Sequence, residues 1–371
     1  MRVILSGGGT AGHINPALAI AGHLKEHEKN LEILYVGAKG GMEESLVAQA
    51  GLNFKGITIS GFSRKLNFEG IKKNIVTLSR LFVSSAESKK IINKFKPDIC
   101  IGTGGYVSGP ILQKASQMKI PIIIHEQNAY PGITTKMLSK HAKCVMLAVR
   151  DAEKYFDKSC KIKVTGNPIR KEILTVDDNL SRTKLGLDSR PVILSFGGSL
   201  GARAINEAVI ELIAHTSKDD RYQHIHGYGQ HSPWFIDKLR EHGVNLSLHK
   251  NIIINEYINN MPECLAAADL VICRAGAITL SEIQAKGKAA ILIPSPNVAE
   301  NHQYHNAMAL VNNNAASIIE EKNLTAQKLI DTVERMLKDK KTLDTYKQNA
   351  RKMAIVDANE RIYKIIKDIT G

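Results

Sequence analysis

The chain has 371 residues, 50 Lys and Arg against 36 Asp and Glu, and a formal net charge of +14; 43% of its residues are hydrophobic and 23% charged. That length suffices for two domains with separate cores, and the composition excludes wholesale disorder. No apolar run approaches the roughly 20 residues that span a bilayer, and 5% aromatics without a recognisable nucleic-acid motif weakens a nucleic-acid surface.

In chain order, the opening MRVILSGGG reads as a first strand and not a signal peptide. Strand-like runs follow at Val3–Ser6, Ile33–Val36, Ile99–Ile101, Ile122–His125 and Cys144–Leu147. After the first, Asn15 is a natural N-cap with Pro16 at the first helical position, and Ala17, Ile20, Ala21 and Leu24 share one face. Between Arg64 and Lys96 nine Lys/Arg stand against two Glu, half of the whole surplus, with Ile71, Ile75, Leu78 and Phe82 at helical spacing. Such a basic helix can lie on an anionic membrane surface or pack its stripe on its own domain. VTGNPIRKEI (Val164 to Ile173) breaks regular structure and reads as a junction. Beyond it the strand candidates are Val192–Phe196, Gln223–His226, Ile252–Ile254, Leu270–Cys273 and Ala290–Ile293. Ile205, Ala208, Val209 and Leu212 mark a helix, and Ile362, Ile365, Ile366 and Ile369 a closing amphipathic one. The alternation is that of α/β folds with parallel sheets. Five cysteines with no CxxC pair read as buried free thiols in a reducing compartment.

The strand, glycine-rich turn and helix occur twice, as VILSGGGTAGHINPALAI from Val3 and VILSFGGSLGARAINEAVIEL from Val192. Each turn sets backbone N–H groups at a helix N-terminus, where the dipole favours an anion. GGGTAG satisfies G-x-G-x-x-G, yet a dinucleotide site also expects an acid at the end of the second strand, and Tyr35-Val36-Gly37-Ala38 has none. His13 closes the first loop, where a histidine can hold an anion or act as a base. GTGGYVSGP, HEQNAYPG and RAGAITLSE follow other strands, so Tyr106, Glu126, Asn128, Thr279 and Glu282 are expected on one rim. There is no Asp-x-Asp, no closely spaced His/Cys ligand set, no phosphate loop of the GxxxxGK[ST] kind and no nucleophile elbow. The expected chemistry uses backbone dipoles and a carboxylate or histidine, without a metal.

Taken together, GGTAGH, GTGGYVSGP, HEQN, GNPIR, GGSLGA, CRAGAITLSE and NHQYHNA resemble the MurG family of bacterial N-acetylglucosaminyltransferases, from Gly8 to about Asn306. The resemblance implies the GT-B architecture, two Rossmann-like parallel-sheet domains facing a cleft: 1–163 plus 345–371 for the acceptor, and 164–344 for the donor. It implies metal-independent, inverting transfer of GlcNAc from UDP-GlcNAc to the 4-hydroxyl of the N-acetylmuramoyl group of lipid I, giving lipid II. No cofactor is implied.

By the same resemblance, Arg170 and the backbone near Ile258 would contact the nucleotide, and Ser199 with Ala277, Ile278, Thr279, Leu280 and Ser281 the diphosphate. Glu282 would take the ribose and Gln303 the sugar. From the first domain Thr10, Ala11, Gly12 and Asn128 would reach the donor's sugar. His13, Gly104, Gly105, Tyr106 and Asn128 would face the acceptor, with His13 or Glu126 as the base. The family commonly has glycine and glutamine where this chain has Ala11 and Leu200, and His302 stands where some relatives have glutamine. Lys72, Lys73, Ile75, Leu78, Arg80 and Phe82 would dock the enzyme on the anionic cytoplasmic face of the inner membrane. The rival readings are a related glycolipid synthase with another UDP-sugar or a diacylglycerol acceptor, and a non-catalytic nucleic-acid binder.

Overall fold

The alternation folds as two parallel sheets, each within its own unit. The computed structural model describes the backbone of residues 1–61 and 68–371, and side chains at all of these except 68–76 and 78. Unit 1 comprises Met1–Ile169 and Asp357–Gly371, and unit 2 Arg170–Val356.

In unit 1, β1 (Arg2–Ser6), β2 (Glu32–Ala38), β3 (Asn53–Ile57), β4 (Ile99–Gly102), β5 (Ile122–Glu126), β6 (Cys144–Leu147) and β7 (Ile162–Val164) pair in the order β3-β2-β1-β4-β5-β6-β7. In unit 2, β8 (Val192–Phe196), β9 (Gln223–Gly227), β10 (Ile252–Asn255), β11 (Leu270–Cys273), β12 (Ala289–Leu292) and β13 (Ser317–Ile318) pair as β10-β9-β8-β11-β12-β13. The central strands are apolar runs buried on both faces, which is why they are legible in the sequence. Among the described residues β3, β7 and β13 are the strands not expected. They are sheet-edge or near-terminal pieces of two to five residues, and NFKGI and IKV carry lysines outward.

The helix Ala11–His27 begins five residues before Pro16, with Thr10 at the N-cap position and Pro16 inside it. His13 therefore sits in the first helical turn, and its N–H donates to the carbonyl of Thr10 (3.1 Å). The last helix, Ala358–Thr370, buries Ile362, Ile365 and Ile366 among Val3, Leu5, Ala17 and Ile20 of unit 1. The chain returns to unit 1 at Asp357 and not at 345, because the helix Lys340–Met353 packs on the helix Ala277–Lys286 and on β12. The cysteines are free, and all but Cys160 are buried.

His224 and His226 point to the same buried side of β9. Nε2 of His224 is 2.8 Å from the Thr216 hydroxyl, and Nδ1 of His226 is 2.8 Å from that of Ser195. Burial pushes their pKa values down to about 4 and about 3, with His224 adding to the effect on His226. Both are neutral in the folded chain and titrate near 6.5 once unfolded, so the unfolded state binds more protons below that pH. Stability should then fall as pH drops from about 6.5 towards 4, by up to about 1.4 kcal/mol per pH unit for each histidine. Urea unfolding followed through Trp234, the single tryptophan, measures this. A midpoint constant from pH 7 to 4.5 would refute it.

Candidate active site

Doubly wound sheets bind ligands outside the carboxyl ends of their strands, where the strand order reverses. In unit 1 that point lies between β1 and β4, and in unit 2 between β8 and β11. The glycine-rich loops fall at these two points. The helices leaving them, Ala11–His27, Arg203–Thr216 and Ala277–Lys286, have no acidic residue in the first turn and no side-chain cap. Two other helices are capped by carboxylates, those of Asp177 and Asp339. A positive helix end left without its own carboxylate is suited to an anion from outside.

In unit 1 the loops after β1, β4 and β5 are neighbours, so His13, Gly104, Gly105 and Glu126 come together. His13 Nδ1 is 3.2 Å from the carbonyl of Gly8 and 3.2 Å from the Thr10 hydroxyl. A carbonyl only accepts, so Nδ1 carries the proton and Nε2 holds the lone pair. A Cβ on Gly104 would stand 2.9 Å from Cδ2 of this ring, and one on Gly105, at φ +79°, would be 2.2 Å from the Gly8 oxygen. The two loops therefore touch backbone to backbone, which only glycine permits here. Burial lowers the His13 pKa, while the charge of Glu126 and the Gly8 carbonyl work the other way. Tyr106 is partly exposed beside Gly9, and Thr10 and Gly12 lie exposed on the rim with Ala11 half-buried.

Glu126 is buried, and both of its oxygens are engaged. Oε1 accepts from the backbone N and Nδ2 of Asn128 (3.1 Å each), and Oε2 from Gly132 N (3.0 Å). It pins its own loop and lends its charge to His13. A carboxylate does belong to the first glycine loop, although none ends β2. Glu43, buried in the following helix, accepts from Ala38 N at 2.8 Å and lies 3.4 Å from Gly9 N. It holds backbone instead of a ribose. Thr103, also unforeseen, donates to the His13 carbonyl (2.7 Å) and ties the first helical turn to β4. A polar residue directly after β4 was the available signal.

In unit 2, Arg170 Nε donates to Glu282 Oε1 at 2.9 Å. Arg170 is half-exposed and Glu282 buried. Burial raises the Glu282 pKa against the opposing pull of Arg170. Ala277, Ile278, Thr279 and Ser281 occupy the first turns of this helix, half-buried. Leu280 turns into the core, and its N–H donates to Gly276 (3.0 Å). Ser199 is exposed in the β8 loop, its carbonyl accepting from Gln230 N (3.2 Å). Ile258 is buried against Gly227. Gln303 Oε1 accepts from Ser295 N at 2.9 Å, fixing the loop after β12. Arg274 anchors the same loop through the Ile293 and Pro294 carbonyls (3.1 and 3.2 Å) and an ion pair with Glu321.

Of the basic segment, the side chains of Lys72, Lys73, Ile75 and Leu78 lie outside the described residues. Arg80 is exposed, and Phe82, on the helix Phe68–Phe95, is 79% exposed. Among the described residues no helix is long and apolar enough to cross a membrane. One expectation is corrected: His23, Glu26 and His27 do form a closely spaced ligand set, at the other end of the helix from His13.

Two family models match the chain, the glycosyltransferase family 28 N-terminal domain over residues 3–147 and its C-terminal domain over 192–367. The crystal structure of Acinetobacter baumannii MurG superposes with a TM-score of 0.79 at 27% identity, covering 99% of both chains. A protein of Acetivibrio thermocellus is 47% identical over 370 residues, 100% of this chain and 98% of its own. The chain belongs to the MurG family. That relative is named UDP-N-acetylglucosamine–N-acetylmuramyl-(pentapeptide) pyrophosphoryl-undecaprenol N-acetylglucosamine transferase. A Thermoanaerobacter protein of the same name is 44% identical over 371 residues, all of both chains. The two Rossmann-like parallel-sheet units are those of the GT-B glycosyltransferases, as in MurG itself.

Proposed function

We propose that this glycosyltransferase moves N-acetylglucosamine from UDP-N-acetylglucosamine to the 4-hydroxyl of the N-acetylmuramoyl group of lipid I. The observation that carries this reading is the full-length match, at 47% identity, to a protein named for that transfer. The donor binds unit 2, with Glu282 on the ribose, Arg170 beside the nucleotide and the diphosphate at the start of the helix Ala277–Lys286. The acceptor binds the glycine loops of unit 1. His13 Nε2 takes the proton of the 4-hydroxyl as its oxygen attacks C1 of the sugar, and the bond from C1 to the β-phosphate oxygen breaks. Glu126 stabilises the imidazolium that forms. The charge left on UDP is met by the helix N-terminus, the service that a metal performs elsewhere. One backside displacement turns an α-linked donor into a β1→4 product.

Turnover with UDP-N-acetylglucosamine and a lipid I analogue should persist in EDTA and fail with UDP-glucose or UDP-galactose. Loss of turnover in EDTA, restored by magnesium, would overturn the metal-free mechanism. Preference for another UDP-sugar would favour the related glycolipid synthases.

Docking at the cytoplasmic face of the inner membrane serves a lipid acceptor. Exposed Arg80, Lys89, Lys90, Lys94 and Lys96 with Phe82 support it. A basic residue near an anionic bilayer contributes about 1 kcal/mol, so Arg80→Glu with Phe82→Ser should weaken vesicle binding by at least about fivefold. Turnover of a short-chain soluble acceptor should stay unchanged. Unaltered vesicle binding would put the docking surface elsewhere.

A further inference from the structure

The helix Ala11–His27 ends in His23-Leu24-Lys25-Glu26-His27. Positions i, i+3 and i+4 share one helix face, and the ligand atoms of His23, Glu26 and His27 lie within 4.8 Å of one another. The last helix of the chain packs on this helix and brings Glu360 beside His23. Glu360 Oε2 stands 3.6 Å from His23 Nε2, too far for a hydrogen bond, and that nitrogen is buried with no hydrogen-bond partner among the described residues. Ligands at roughly 2.0–2.2 Å from a tetrahedral zinc ion are about 3.4 Å from each other, close to this gap. His27 Nδ1 is 2.8 Å from the His23 carbonyl, so it carries the proton and leaves Nε2 as the ligating nitrogen. A backbone carbonyl on the far ring nitrogen is the usual outer support of a metal-bound histidine.

Two neutral imidazoles and two carboxylates balance a divalent charge. A mixed nitrogen and oxygen set suits zinc over magnesium or calcium, which take oxygen ligands. Tyr363 covers one side, its ring 5.7 Å from that of His23 and 5.2 Å from that of His27. Lys364, 3.4 Å from Glu360, holds the carboxylate's other oxygen. We propose that His23, Glu26, His27 and Glu360 form a structural zinc site that fastens the returning C-terminal helix to the first helix of unit 1. The site lies about 20 Å along the helix from His13, at 1.5 Å per residue, and has no part in sugar transfer.

The test is calorimetric titration of the chelator-stripped full-length protein with Zn²⁺, with melting temperature followed in parallel. One equivalent should bind and raise the melting temperature, whereas Mg²⁺ and Ca²⁺ should do neither. Glu26 and His27 are exposed, so Glu26→Gln and His27→Gln keep the fold, and each should weaken Zn²⁺ at least tenfold. Binding of equal affinity and stoichiometry in the double variant, or no binding by the wild type, overturns the site. Turnover measured on the same samples should be indifferent to zinc. Its loss on chelation would count against the metal-free mechanism, while the effect of the two substitutions on binding judges this site alone.

Discussion

Replacing His13 by alanine should lower kcat by about 100- to 10,000-fold, the worth of a positioned general base, and leave UDP affinity nearly intact. The ring is fixed by the Gly8 carbonyl and by close packing over Gly104, with Nε2 as its basic nitrogen. Burial lowers its pKa despite the Glu126 charge, so the neutral, basic form persists below the usual 6.5. The wild-type kcat profile should therefore hold through neutrality and fall only at lower pH. In His13→Ala that acid limb should disappear along with most of the activity. A loss under about tenfold would pass the role to another group. A large loss with the acid limb retained would make His13 an anchor for the acceptor diphosphate instead. Glu126 is the weaker candidate for the base, because three protein donors already occupy its two oxygens.

Glu282→Ala should weaken UDP binding by about 1.5–3 kcal/mol, the worth of charge-assisted hydrogen bonds, or roughly 10- to 150-fold. KM for the donor should rise with little change for the acceptor. Burial raises the Glu282 pKa even with Arg170 alongside, so burying this carboxylate costs the folded protein more than its pairing with Arg170 returns. The substitution should accordingly leave the melting temperature of the enzyme close to that of the wild type. Arg170, half-exposed, can turn to solvent when its partner is gone. Calorimetry with UDP decides the matter: unchanged affinity removes Glu282 from the donor site. A large fall in melting temperature would make the Arg170–Glu282 pair a structural tie.

The central strands, the two glycine turns and the closing helix were legible in the sequence because each is a local pattern. Apolar runs bounded by glycine, and isoleucines three and four apart, carry their own burial requirement. The family was legible because its motifs follow one another in order from Gly8 to about Asn306. The start of the first helix was misread, since Asn15-Pro16 is a good local N-terminus but the loop winds into the helix already at Ala11. There the β1–β4 packing, through Thr103 and the glycine contacts, outweighs the local capping preference. Tertiary structure alone decided which carboxylates do what. Glu43, Glu126 and Glu282 are each one acid in a string, until the strand order sets the first two under loop backbone and the last beside Arg170. It also decided that Glu360 stands beside His23. A contact across more than three hundred residues is set by how helices pack, and nothing in either segment encodes it.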